Sequence, residues 1–228
     1  MFSLVIPIYN AQEIIPGSYE IVSRYLDTAG YEYEIIFEDD ASIDSSKAVL
    51  EAISRDNSRV KVFSHYPNRG LGYTLRQLFG RARGSVIIYL DIDLPFGIAC
   101  LKPLLKEAAS VDVVLASRYF SRENQIPFLR KISSRLYYLF CRALFNIRVR
   151  DIGSGLVVFK RRALEGINLE TLGFDIHIEI FTRLKERGFR VKEVPLPYKH
   201  NSYSTFSILR HGPAIVVNTL RFWLRQLR

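Results

Sequence analysis

The sequence predicts an α/β fold, a doubly wound and mostly parallel sheet flanked by helices, and three observations carry that prediction. Short apolar runs of strand length alternate with amphipathic stretches of helix length through the first half of the chain. Each intervening helical stretch is long enough to cross over a sheet, as parallel pairing requires. Several apolar runs end directly in acidic or polar residues, where an open parallel sheet presents its ligands.

In chain order, Phe2–Ile8 reads as a buried strand, Ile14–Thr28 as a helix and Glu34–Glu38 as a second strand. Ser42 or Asp44 is placed to cap a helix running to about Asn57. The period repeats with strand Val60–Ser64, helix Leu71–Arg83, strand Val86–Leu90, helix Ile98–Ala109 and strand Val111–Ala116. Beyond Arg118 the rhythm breaks into a polar stretch and an Arg-rich amphipathic segment, Leu129–Phe145, which reads as an insertion. Strand Leu156–Phe159, helix Asp175–Arg187 and strand Val191–Val194 follow, before Pro195 and Pro197 stop regular pairing. Ile208–Leu227 closes the chain as a basic, apolar segment.

With 48% hydrophobic and 24% charged residues among 228, one globular domain is expected. Cys100 and Cys141 form neither a CxxC pair nor a disulfide framework and read as core thiols in a reducing compartment. The N-terminus lacks the features of a secretory signal and no window reaches the length of a membrane span, which gives a cytoplasmic expectation. The net charge of +9 is concentrated, residues 118–162 holding 11 basic and 2 acidic groups. Such a cluster attracts a phosphorylated substrate, an anionic membrane surface or nucleic acid. Nucleic acid is not expected, because aromatic stacking platforms and known binding motifs are absent and the acidic strand ends would stay unexplained.

Those strand ends carry the chemistry. After the first strand come Pro7-Ile8-Tyr9-Asn10 and Glu13; after the second, Asp39-Asp40-Ala41-Ser42-Ile43-Asp44; after the fourth, Asp91-Ile92-Asp93. An acidic cluster repels itself unless a cation or hydrogen-bond donors relieve it. In an extended segment, Asp91 and Asp93 point to one side and can meet a hard divalent ion, Mg²⁺ or Mn²⁺, together with a diphosphate. Asp39 or Asp40 is placed to face the base or ribose of a nucleotide, or simply to turn the chain into the next helix. Asn68-Arg69-Gly70-Leu71-Gly72 opens the third helix but matches neither the P-loop nor the dinucleotide fingerprint.

These motifs, with Gly80, Ala82-x-Gly84, Ser117-Arg118-Tyr119, Asp151-x-Gly153-Ser154-Gly155, Phe159-x-Arg161-Arg162, Gly173-Phe174-Asp175 and Glu179-Ile180, stand in an order that resembles family 2 glycosyltransferases, and among them the polyprenyl-phosphate sugar transferases. The resemblance spans nearly the whole chain. It implies a GT-A fold in one domain, with residues 1–117 as the nucleotide-sugar half, 118–207 as the acceptor half and 208–228 as an amphipathic tail. It further implies Mg²⁺ or Mn²⁺ on Asp91 and Asp93, and a nucleotide-sugar held by Pro7, Tyr9, Asn10, Glu13, Asp39, Asp40 and Ile92. Arg118, Arg130 and Ser134 would hold the acceptor phosphate. Such an enzyme transfers a hexose from a GDP- or UDP-sugar, with inversion, to a polyprenyl phosphate, which is ionised near neutral pH and needs no general base. Transfer to a glycan hydroxyl is the alternative and needs a carboxylate base, for which Glu179 is the candidate. The Arg-rich helix and the C-terminal segment would give peripheral contact with the inner face of a membrane.

Two positions depart from the family pattern. Pro95 stands where a polar residue usually follows Asp-x-Asp-Leu, and residues 200–207 lack the basic residues that clamp the donor diphosphate. Lys199, His200 and Arg210 are the nearby substitutes.

Overall fold

The computed structural model describes residues 1–119, 128–199 and 208–226, and only the backbone for residues 128–130 and 208–211. Seven strands form one sheet: β1 (Phe2–Ile8), β2 (Tyr33–Asp40), β3 (Val60–His65), β4 (Val86–Leu90), β5 (Val113–Ser117), β6 (Leu156–Lys160) and β7 (Val191–Pro195). Their order is β3-β2-β1-β4-β6-β5-β7. Pairing is parallel throughout except at β6, which runs antiparallel to both β4 and β5.

Alternation along the central strands explains why both faces are covered. Leu4, Ile6 and Ile8 join one apolar core with Ile35 and Phe37, whereas Val5 and Ile36 join the other. The first core is closed by α1 (Ile15–Thr28), α2 (Ser46–Asp56) and α4 (Leu101–Ala108), through Ile15, Val22, Leu26, Leu50, Leu101 and Leu104. The second is closed by α3 (Leu71–Arg81), α5 (Phe128–Phe145), α7 (Ile176–Glu186) and α8 (Ile208–Gln226), through Leu75, Leu78, Phe145, Ile178 and Phe222. Each fully buried aliphatic side chain contributes about 1.5–3 kcal/mol. The fold is the doubly wound α/β sheet that the sequence predicts, as the resemblance to GT-A enzymes implies.

Several boundaries differ from the expectation for physical reasons. Helix α2 starts at Ser46, whose N–H donates to Asp44 Oδ1 (2.9 Å), so Asp44 meets the start of the helix while its other oxygen takes the Gln12 N–H; Ser42 bonds the β1–α1 loop instead. Helix α3 stops at Arg81 because Ala82 is already extended. A single 3-10 turn, Ile98–Cys100, leads into α4, and a short helix, α6 (Arg161–Leu164), follows β6 unforeseen. Cys141 is buried while Cys100 is only half-buried, and both are free thiols.

The reversed strand positions the site. Leu156 at the start of β6 lies opposite Leu90 at the end of β4, so the turn entering β6 shares the carboxyl edge of β1, β2, β4 and β5.

Candidate active site

Two loops at this edge are laced together. After β1, the backbone N–H of Asn10 donates to Ser42 Oγ (2.9 Å) and Asn10 Oδ1 accepts from Ile43 N–H (2.9 Å). Ala11 N–H donates to Ser46 Oγ (2.8 Å), Gln12 N–H to Asp44 Oδ2 (3.1 Å), and Gln12 Oε1 accepts from Ser45 N–H (2.7 Å). Asn10 and Ala41 sit at positive φ, +50° and +55°, and such backbones persist where surrounding bonds over-determine them. Asn10 thus serves loop closure, while Tyr9 and Glu13 are exposed beside it and Pro7 is half-buried.

The paired aspartates diverge. Asp40 accepts from Arg69 N–H (2.7 Å) and Gly70 N–H (2.9 Å), with His65 Nε2 2.8 Å from the same carboxylate, so it builds the entry to α3. Asp39 accepts from Ser42 N–H (3.2 Å) through Oδ2. Its Oδ1 is buried and has no hydrogen-bond partner among the described residues. A buried acceptor left unmet costs about 1–3 kcal/mol, so Oδ1 is suited to a ligand hydroxyl or N–H.

Asp91 lies in a tight turn, not in the extended segment the spacing suggests. Leu94 N–H closes on Asp91 O (3.1 Å), with Leu94 at φ +47°. Asp91 N–H donates to Gly155 O (2.9 Å) across the β4–β6 junction, and the buried Tyr89 hydroxyl donates to Asp91 Oδ1. Burial holds the Tyr89 phenol well above its ordinary pKa, and the charges of Asp91 and then Asp93 push the same way. The hydroxyl thus fixes Asp91, and Asp93 stands two residues on in the same turn. Among the described residues no group of three or more His, Cys, Asp or Glu converges to enclose a cation. Two carboxylates with the remaining positions left to substrate phosphate and water fit Mg²⁺ or Mn²⁺ better than a cation in an all-protein cage.

Arg118, leaving β5, is buried. Its Nε lies 2.9 Å from Asp151 Oδ2, its Nη2 2.9 Å from Asp151 Oδ1, and Nη2 also reaches the Gly153 carbonyl. Glu193 accepts the N–H groups of Arg150 (3.0 Å) and Asp151 (2.8 Å). The turn at residues 151–155 is thereby pinned from two strands. On the outer side Lys199 N–H donates to Pro95 O (2.8 Å), which sets the exposed Lys199 next to the Asp91–Pro95 loop.

The sequence profile of Glycosyl transferase family 2 matches residues 3–167. The chain belongs to this family. Similar proteins include glycosyltransferase AglD of Haloferax volcanii, 25% identical over 97% of this chain and 36% of AglD. The dolichol-phosphate mannosyltransferase of Pyrococcus furiosus is 29% identical over 92% of this chain and 62% of that protein. The undecaprenyl-phosphate 4-deoxy-4-formamido-L-arabinose transferase of Pseudomonas fluorescens is 32% identical over 72% and 48%. The chain thus spans less than two thirds of the length of each. Among solved structures, mannosyl-3-phosphoglycerate synthase of Rubrobacter xylanophilus superposes with a TM-score of 0.74 at 19% identity, covering 99% of this chain and 74% of that one. Glucosyl-3-phosphoglycerate synthase of Mycobacterium tuberculosis, solved with Mn²⁺, UDP and phosphoglyceric acid, gives 0.73 at 18%, covering 98% and 78%. At such identity they carry the fold.

In this family 2 transferase the remaining expected residues are spread. Ile92 is half-buried in the Asp91 turn. Glu179 is fully buried in α7, accepting the N–H groups of Glu170 (3.0 Å) and Thr171 (2.8 Å) and the Thr171 hydroxyl (2.7 Å). Ser134 is half-buried on α5. The Arg130 side chain, His200 and Arg210's side chain lie outside the described residues. Two residues escaped the sequence reading. Tyr89 was legible as the one polar-tipped residue of Val86–Leu90, two positions before Asp91. His177, its ring 5.6 Å from that of Tyr89, carried no motif; burial and then the Arg118 charge hold its imidazole down at about 4.

Proposed function

We propose that this family 2 glycosyltransferase moves a hexose from a nucleotide-sugar to a polyprenyl phosphate, inverting the anomeric carbon. The observation that carries the donor half is the pairing, on one sheet edge, of the buried unpartnered Asp39 oxygen with the Asp91–Asp93 turn. Asp39, with Tyr9 and Glu13 at the rim, takes the nucleoside end, while Asp40 and Asn10 hold the loops that shape it. Asp91 and Asp93 would hold Mg²⁺ or Mn²⁺, which when bound supplies neutralising charge on the leaving nucleoside diphosphate. Lys199, tied to Pro95 through its backbone, would replace the missing diphosphate clamp.

The acceptor half draws on the polyprenyl-phosphate relatives and on α5. An ionised phosphate needs cations and alignment, not a base. Arg118 is engaged by Asp151, so the first phosphate contact in this reading comes from Arg130, with Ser134 one turn along the same helix face. Transfer to a glycan hydroxyl requires a free carboxylate, and Glu179 spends Oε1 on the Glu170 N–H and Oε2 on the Thr171 N–H and hydroxyl.

A screen of GDP- and UDP-sugars for nucleotide release, with and without polyprenyl phosphate, tests the reading. Arg130→Ala is expected to slow transfer to polyprenyl phosphate by roughly 2 kcal/mol, about thirtyfold, and to leave donor binding intact. Equal slowing toward a free sugar hydroxyl would hand the acceptor role to a glycan.

A further inference from the structure

We infer that Tyr89 and Gly155 are positioning residues that fix the Asp91 carboxylate for its divalent cation. The inference rests on the proposed role of Asp91 and Asp93. Tyr89 is buried in β4 and points to the same side as Asp91, two residues on, where its hydroxyl donates to Oδ1. Gly155 presses on the other oxygen. A methyl group built there would collide with Asp91 Oδ2 and lie 2.8 Å from its carboxyl carbon, closer than real side chains pack. The same glycine accepts the Asp91 N–H, so main chain and side chain of Asp91 are both set by one residue.

That residue is itself immobilised. Ser154 Oγ donates to Ala116 O (2.6 Å), Arg118 grips Asp151 and Gly153, and Glu193 caps the turn from β7. The β6 reversal delivers this rigid turn to the end of β4, and the carboxylate is held from two directions before any ligand arrives. A carboxylate fixed in one orientation loses less freedom when it takes a cation, and outer partners of metal ligands commonly shift affinity about 10- to 100-fold. Gly153, in the same turn, has open space around it and provides a steric control.

The test titrates Mn²⁺ into the protein with UDP and, separately, with GDP, following the electron paramagnetic resonance signal of free Mn²⁺; no turnover is involved. Tyr89→Phe and Gly155→Ala are expected to raise the apparent Kd for Mn²⁺ about tenfold or more, while Gly153→Ala binds like wild type. In assays, Tyr89→Phe should need more Mn²⁺ yet approach wild-type kcat at saturation, a split that loss of fold does not produce. Thermal unfolding identifies a variant that fails to fold, and Tyr89→Phe, which only removes an oxygen, keeps the test alive if Gly155→Ala does. Wild-type Mn²⁺ affinity in Tyr89→Phe, or equal weakening by Gly153→Ala, overturns the positioning role and leaves the metal reading standing. Failure of the wild-type protein to take up Mn²⁺ with either nucleotide sinks both.

Discussion

Asp39 and Asp40 show how neighbouring identical residues acquire different work. Asp40 has its oxygens filled by the entry to α3, whereas Asp39 keeps one buried oxygen without a partner among the described residues. Asp39→Asn is therefore expected to raise KM for the donor roughly 10- to 100-fold, the scale of a hydrogen bond to a charged group, with little change in melting temperature. Unchanged KM would take Asp39 out of the donor site. His177 gives a pH test. Its imidazole is held at about 4 in the fold against about 6.5 when unfolded, so below pH 6.5 the unfolded chain binds the extra proton and stability falls until pH 4. The whole gap is worth roughly 3 kcal/mol. His177→Phe, which keeps a ring beside Tyr89, is expected to lose less stability between pH 7 and 4 than wild type; parallel stability–pH curves would refute the assignment.

At the scale of elements, α7 and α3 are joined through a loop. Glu179 holds the N–H groups of residues 170–171, Leu172 O accepts Gly72 N–H (2.7 Å), and a side chain at Gly70 would strike the same carbonyl at 2.6 Å. Gly70 is also at φ +84°, so the Asn68–Gly72 segment needs its glycines for close approach and backbone alike. This makes Glu179 a clamp on the donor-side loop. Glu179→Gln is expected to cost about 2–3 kcal/mol of stability, because several donors aimed at a buried carboxylate lose their charged acceptor, while kcat at saturating donor stays near wild type. A collapse of kcat with normal melting would restore Glu179 as a base. The sequence could point to Glu179 as chemically interesting, since a carboxylate in an apolar run is conspicuous, but not to its partners, which lie on a loop fixed by tertiary contact. The same limit applies at Asp91. Its place at a strand end was legible from Val86–Leu90, yet the turn geometry depends on β6 running backwards, and a five-residue strand carries no mark of its direction. At the start of α2, Asp44 takes the Ser46 N–H as its place in the sequence suggests, but its second bond to Gln12 and the Ser42 bond to Asn10 reach across to the β1–α1 loop, which no local pattern shows.

Over the whole molecule, the parallel sheet and its helices followed from apolar periodicity, while the pairing of α5 with α8 did not, because the two helices are far apart in sequence. They meet through the Tyr137 hydroxyl and Thr219 Oγ1 (3.0 Å) and the stacked rings of Phe145 and Phe222. Each helix nevertheless leaves an apolar row outside: Ile132, Leu136 and Leu139 on α5, and Val216, Val217, Leu220 and Leu224 on α8, with Leu136 62% and Leu224 54% exposed. Exposed Lys131, Arg135 and Arg142 on α5 and Arg221 and Arg225 on α8 accompany them. No helix among the described residues is long and apolar enough to cross a membrane. Rows of this kind with basic neighbours suit the headgroup boundary of an anionic bilayer, where a polyprenyl phosphate would present its phosphate. The protein is expected to float with phosphatidylglycerol-containing vesicles at low salt and to be released as salt rises. Leu136→Glu combined with Leu224→Glu should abolish flotation and raise KM for a long-chain polyprenyl phosphate in vesicles, while a short, water-soluble polyprenyl phosphate is used as before. If the double variant floats like wild type, these rows are not the contact; if it loses both acceptors equally, the helices support the site itself and the bilayer plays no part.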